Sequence, residues 1–137
     1  MEGRATFREG LQFVGSSESG HSVVMDGPVA AGGSDAAVRP SELVLIGLAG
    51  CTGMDVISIL RKKRQPVTGL EVVVHAEQAE EHPRAFRRLK VRYIVRGTGV
   101  DETAVRRAIE LSEEKYCSVG ATLRERAEIT SSFEITP

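Results

Sequence analysis

The stretch Arg39-Pro40-Ser41-Glu42-Leu43-Val44-Leu45-Ile46-Gly47-Leu48-Ala49-Gly50-Cys51-Thr52-Gly53-Met54-Asp55-Val56-Ile57-Ser58-Ile59-Leu60 reads as one long apolar helix. Pro40 suits the first helical position, and Glu42 falls in the first turn, where a carboxylate favours the helix dipole. Arg61 to Arg64 place positive charge at the other end, and Pro66 stops the helix after Gln65. The apolar positions form no single stripe, and a helix apolar all round is buried all round. At 1.5 Å per residue, about 25 residues span roughly 37 Å. That is about the diameter of the whole globule. One small domain does not easily wrap such a helix. The expected solution is a homodimer in which two such helices pack together. The alternative is a kink near Gly50 or Gly53, which would let a monomer fold around two shorter pieces.

Strands flank this helix. Residues 3–8 alternate around Ala5 and Phe7, Glu9-Gly10 signals a turn, and residues 11–15 and 21–25 complete a meander. Residues 28–38 are small and irregular and read as a mobile surface loop. Beyond the helix, Leu70, Val72, Val74 and Ala76 alternate with polar neighbours, as do Leu89, Val91, Tyr93 and Val95. Acids on one outer face oppose bases on the other, which helps set register. Asp101 caps a helix reaching about Tyr116, with Val105, Ala108, Ile109 and Ser112 facing inward. Residues 118–124 read as one more short helical stretch, and residues 127–135 close as a strand. The order is β-β-β-α-β-β-α-(α)-β. This is an α+β fold with helices against antiparallel sheet, in a single domain spanning residues 1–137.

Composition narrows the functional classes. The chain has 137 residues with 18 Lys+Arg against 19 Asp+Glu, a net charge of -1, so nothing favours nucleic acid. No Trp and only four Phe and two Tyr argue against a base-stacking platform. The longest uncharged apolar run, residues 43–54, is short of the roughly 20 residues of a membrane span, so the reading is a soluble, cytoplasmic protein. Two cysteines are too few for a disulfide scaffold or a four-Cys zinc site. His21, His75 and His82 have no metal-ligand spacing, and no phosphate-cradling glycine loop is present. No cofactor is expected.

The cysteines carry the chemistry. Cys51 lies between Gly47, Gly50 and Gly53, whose spacing strips one helix face of side chains, a costly choice in a helix. It sits in the helix's first half, where the dipole favours thiolate. Cys117 follows Lys115-Tyr116 at a junction between helices, where free backbone N–H groups would lower its pKa too. Taken alone, each cysteine also has a plain structural reading, as a small core residue or a capping residue. Together they suggest a redox pair, provided that the fold brings them within bonding reach.

The run from Arg39 to Val56 resembles the central-helix signature of the OsmC/Ohr family, and Glu114-Lys115-Tyr116-Cys117-Ser118-Val119 resembles its second-cysteine motif. The resemblance covers nearly the whole chain. It is nearest the OsmC-like branch carrying Gly-Cys-Thr and Lys-Tyr-Cys-Ser-Val. The resemblance implies an intertwined homodimer with active sites at the subunit interface. It implies thiol-dependent reduction of organic, or hydrogen, peroxides, with Cys51 as the peroxidatic thiolate, Cys117 as the resolving thiol and a small dithiol or lipoyl-type reductant. It also implies an Arg–Glu clamp on the thiolate. Arg8, in Arg8-Glu9-Gly10, matches the family's Arg-Asp-Gly turn. The family's Glu position is Ser41 here, and the acid, Glu42, stands one place later, a rotation of about 100° on a helix. Glu42 is thus a candidate both for the clamp and for a helix cap. Two other readings compete: a non-catalytic protein binding a lipid or other small ligand in an apolar cleft, and a redox sensor.

Overall fold

A computed structural model describes all of residues 1–137. The chain divides into two compact units, residues 1–44 and residues 45–137.

The first unit is the meander: β1 (Gly3–Glu9), β2 (Gln12–Ser17) and β3 (Ser22–Met25), paired antiparallel in that order. The pairing shifts between Phe7 and Glu9, so Arg8 sits on a bulge. Bulges re-aim the side chain they carry. The segment after β3 is not the loose loop that its small residues suggest. The Asp26 carboxylate is buried and accepts the backbone N–H groups of Gly27, Ser34 and Ala36. These bonds, Ala36 first, hold its pKa below the usual carboxylate range. A short 3-10 turn at Val29–Ala31 fills the span. Gly33 lies so close to the Gly27 carbonyl that a Cβ there has no room. The segment returns to the sheet through an Asp26 N–H bond to the Val38 carbonyl, at 3.0 Å.

α1 runs without a break from Pro40 to Lys62. Gly47, Gly50 and Gly53 do not divide it, so the kinked alternative falls away. It ends a turn earlier than Pro66 demands, because Arg64 adopts a left-handed conformation and the Gln65 N–H turns back to the Leu60 carbonyl. By length and composition α1 is long and apolar enough to cross a membrane, a test that the core helix of a soluble protein also passes.

In the second unit β4 (Gly69–Gln78), β5 (Phe86–Arg96) and β6 (Glu128–Thr136) form a three-stranded sheet in that order. β4 pairs antiparallel with β5, but β6 pairs parallel to it. The sheet is therefore mixed rather than antiparallel. The physical reason is the crossover: α2 (Glu102–Leu111) and α3 (Ser118–Arg124) carry the chain back to the end of the sheet where β5 began. α2 starts at the expected cap, with the Asp101 carboxylate accepting the Thr103 N–H. It loses its regular α winding after Leu111, and Ser112–Tyr116 form a wider π turn.

Leu89, Val91, Tyr93 and Val95 of β5 point inward, and all are buried. The outer face carries the expected charges: Glu77 pairs with Arg88 and Lys90, Arg88 with Glu128, and Arg92 with Glu134. All are exposed, so their work is register more than stability.

α1 is not buried all round within this chain. Only Leu48, Thr52, Val56 and Leu60 are buried, a stripe at every fourth residue. They join the core with β5 and with Ala104, Val105, Ala108 and Ile109 of α2. A single sheet with its helices covers one side of α1. The other side leaves Ile46 at 56% and Met54 at 72% exposure. Leu60→Ala is expected to lower unfolding free energy by about 2–5 kcal/mol, measured by urea denaturation. A loss under about 1 kcal/mol would contradict the placement of the core.

Candidate active site around two thiols

Cys51 sits half-buried on α1, and Cys117 caps the start of α3 at 4% exposure; both are free thiols. The fold makes them neighbours. Gly120, in the first turn of α3, has room for no side chain without crowding Cys117 Sγ at 3.3 Å, and Leu48 Cδ1 of α1 lies at 3.6 Å from the same point. Leu48 is one turn before Cys51. The Cys51 side chain also acts on the titration of Cys117.

The two thiols are not equivalent. Burial, reinforced by the neighbouring Cys51, pushes the Cys117 thiol up to about 11. The cap works in the opposite direction, since the Gly120 N–H donates to Sγ at 3.3 Å. Desolvation outweighs it, so the lowered pKa expected from its helix-start position is corrected to a raised one. At neutral pH Cys117 is a protonated thiol.

Between the two cysteine-bearing segments runs a chain of buried hydroxyls. Thr52 Oγ1 lies 2.7 Å from Tyr93 Oη and 2.8 Å from Ser112 Oγ, and Ser112 donates to Asp55 Oδ2 at 2.9 Å. Each hydroxyl has one proton. Ser112 gives its proton to Asp55, so Thr52 must donate to Ser112, and Tyr93 must donate to Thr52. Burial pushes the Tyr93 phenol up to about 12, so it keeps the proton that it donates. Sequence reading placed Ser112 and Tyr93 on inward faces but missed this network. The legible signal was a polar residue at an apolar-face position, which needs a partner.

The remaining predicted residues lie in the first unit. Arg8 is exposed on its bulge and makes no ion pair, while Glu42 Oε1 accepts the Arg39 N–H at 2.9 Å. That bond is the returning half of a capping box. It gives Glu42 a structural task, one of the two that its position allowed. No three His, Cys, Asp or Glu side chains converge where they could hold a metal ion.

On the open side of α1 a groove of about 640 Å³ runs past Ile46, Gly50, Gly53, Met54, Val67 and Leu70. A Cβ at Gly53 would meet Val72 at 3.3 Å, whereas Gly47 and Gly50 face open space. Of the glycines, Gly53 therefore serves close approach, and Gly50 keeps this side of the helix bare.

An α+β chain that buries one thiol beside a second, less buried one defines a thiol-bearing fold with a known family. Residues 32–132 match the family described as OsmC-like protein, and the chain belongs to it. Protein YhfA of Escherichia coli K12 is 44% identical over 135 residues, 98% of each chain. A hypothetical protein from Aquifex aeolicus superposes with a TM-score of 0.86 at 28% identity, over 99% of this chain and 96% of that one. An organic hydroperoxide resistance protein, OsmC, from Legionella pneumophila shares the fold at a TM-score of 0.69 and 16% identity, over 97% and 95% of the two chains.

The raised Cys117 pKa predicts that alkylation followed residue by residue shows Cys117 half-modified only well above pH 9. The linkage has a definite sign. A thiol whose folded pKa is raised holds its proton longer than in the unfolded chain, so its stabilising contribution is present below about pH 9 and fades toward pH 11. Alkylation of Cys117 at neutral pH as fast as an exposed thiol would contradict the assignment.

Proposed function

We propose that the protein reduces organic hydroperoxides through Cys51 and Cys117, in the cytoplasm, where thiols are kept reduced. The observation that carries this reading is the juxtaposition of two free thiols in unequal settings. The half-buried Cys51 thiolate attacks the distal peroxide oxygen. The O–O bond breaks, the sulfur is oxidised to a sulfenic acid, and the alkoxide leaves and is protonated to the alcohol. Cys117 then gives up its proton as its sulfur attacks the sulfenic sulfur. An S–S bond forms, the S–OH bond breaks, and hydroxide leaves with the Cys117 proton as water. A small dithiol restores both thiols by exchange and is itself oxidised to a disulfide. The protonated state of Cys117 suits a resolving thiol, because it reserves the first attack for Cys51.

The apolar side chains of α1 that flank Cys51 in sequence support organic over hydrogen peroxide as substrate. Exposed Ile46 and Met54 support a homodimer that covers this face of α1, as is common in the family, with the site at the subunit interface. Arg8 is carried over from the family resemblance as the guanidinium that stabilises the thiolate and the departing alkoxide. Glu42, carried over with it, is the second member of that clamp, sharing its carboxylate with the cap.

Cys51→Ser should abolish hydroperoxide consumption in a coupled dithiol assay. Cys117→Ser should still form a sulfenic acid at Cys51, trapped by dimedone and located by mass spectrometry. Arg8→Ala should lower kcat/KM by about tenfold or more. Equal activity in the two cysteine variants would sink the assignment, and a folded monomer in sedimentation at micromolar concentration would refute the dimer.

A further inference from the structure

We infer that the chain Tyr93–Thr52–Ser112–Asp55, whose three hydroxyl residues are buried and whose Asp55 end is half-buried, is a positioning device for the second thiol, holding Cys117 in register with Cys51. The inference rests on the redox pairing proposed above. It assigns a task to four residues that the peroxide chemistry itself does not touch.

Ser112 joins the two cysteine-bearing segments. Its side chain faces α1, bonding Thr52 and Asp55. Its carbonyl accepts the Cys117 N–H at 2.8 Å, closing the π turn that delivers Cys117. One residue thus ties the backbone of the second cysteine to the helix that carries the first. On that helix, Thr52 is adjacent to Cys51, and Asp55 lies one turn on, four residues from it on the same face. Tyr93 extends the tie to the middle strand of the sheet. The direction of every proton in the chain is fixed by the Asp55 carboxylate at its end, so the three hydroxyls have one arrangement rather than several. Outside the chain, the π turn has one further tether, from Arg124 to the Glu113 carbonyl at 3.1 Å.

Stability alone does not require these hydroxyls. Replacing a fully bonded buried polar group and its partners by apolar groups of the same shape is often nearly neutral. An apolar trio would fill the space but would not specify which way the turn faces. A wide turn between two helices has several ways to pack, and a buried, fully satisfied network selects one. Two thiols that must form a bond need that selection, because their geometry tolerates little error.

The test reads the thiol pair directly, without peroxide. The purified full chain is equilibrated in reduced and oxidised glutathione, and the Cys51–Cys117 disulfide is quantified by alkylation and mass spectrometry. Thr52→Val and Ser112→Ala should each lower the equilibrium constant for this disulfide about tenfold, about 30 mV in potential. Thr52→Ser, which keeps the hydroxyl, should stay near the wild-type value. Val105→Ala, which loosens the core away from the chain, should lower stability without moving the potential. Unchanged potentials in Thr52→Val and Ser112→Ala would overturn the inference, as would an equal shift in Val105→Ala or a wild-type chain that forms no such disulfide. A wild-type chain that forms the disulfide in glutathione yet ignores hydroperoxide would refute the peroxidase reading and leave this one standing.

Discussion

The packing of one four-residue stripe of α1 against the sheet underlies the second unit. Leu48, Thr52, Val56 and Leu60 recur at every fourth position, and each is buried. The stripe fixes the rotation of the helix about its own axis. That rotation decides where Cys51, one position before Thr52, points. Three members of the stripe are held by apolar contact, which resists displacement but tolerates small slides. Thr52 is the exception. Its hydroxyl is bonded on both sides, to Tyr93 and to Ser112, so it pins the helix to the sheet and to the π turn at one point.

Two consequences follow from the same rotation. The face opposite the stripe is left bare, with Ile46 and Met54 exposed and an apolar groove beside them. The cysteine is left at the edge of the stripe, half-buried and beside Cys117. The second thiol is arranged differently. It is buried under α1 and the first turn of α3, and desolvation keeps it protonated. Of the pair, Cys117 is the enclosed, neutral sulfur and Cys51 the less buried one.

Much of this was legible in the sequence because it depends on local chemistry. Pro40 and Pro66 bracket α1, alternation marks β4 and β5, and Asp101 marks the start of α2. The elements that escaped depend on partners distant in sequence. The parallel pairing of β6 follows from the path of the crossover, which no period in the strand encodes. The loop after β3 looked loose because its residues are small, yet the Asp26 carboxylate gathers three of its N–H groups. The raised pKa of Cys117 escaped because a helix-start position is a local feature, whereas burial is set by Leu48 and the core. At the site, both cysteines were legible from their motifs. The hydroxyl chain was not, since Thr52, Tyr93 and Ser112 meet only in the folded chain.

The most direct test of the central claim is a thiol count. The reduced protein is given one equivalent of an organic hydroperoxide such as cumene hydroperoxide, free thiols are counted, and a dithiol is then added. The account predicts rapid loss of both thiols per chain, as a disulfide between Cys51 and Cys117, and full recovery with the dithiol. Survival of both thiols would contradict it.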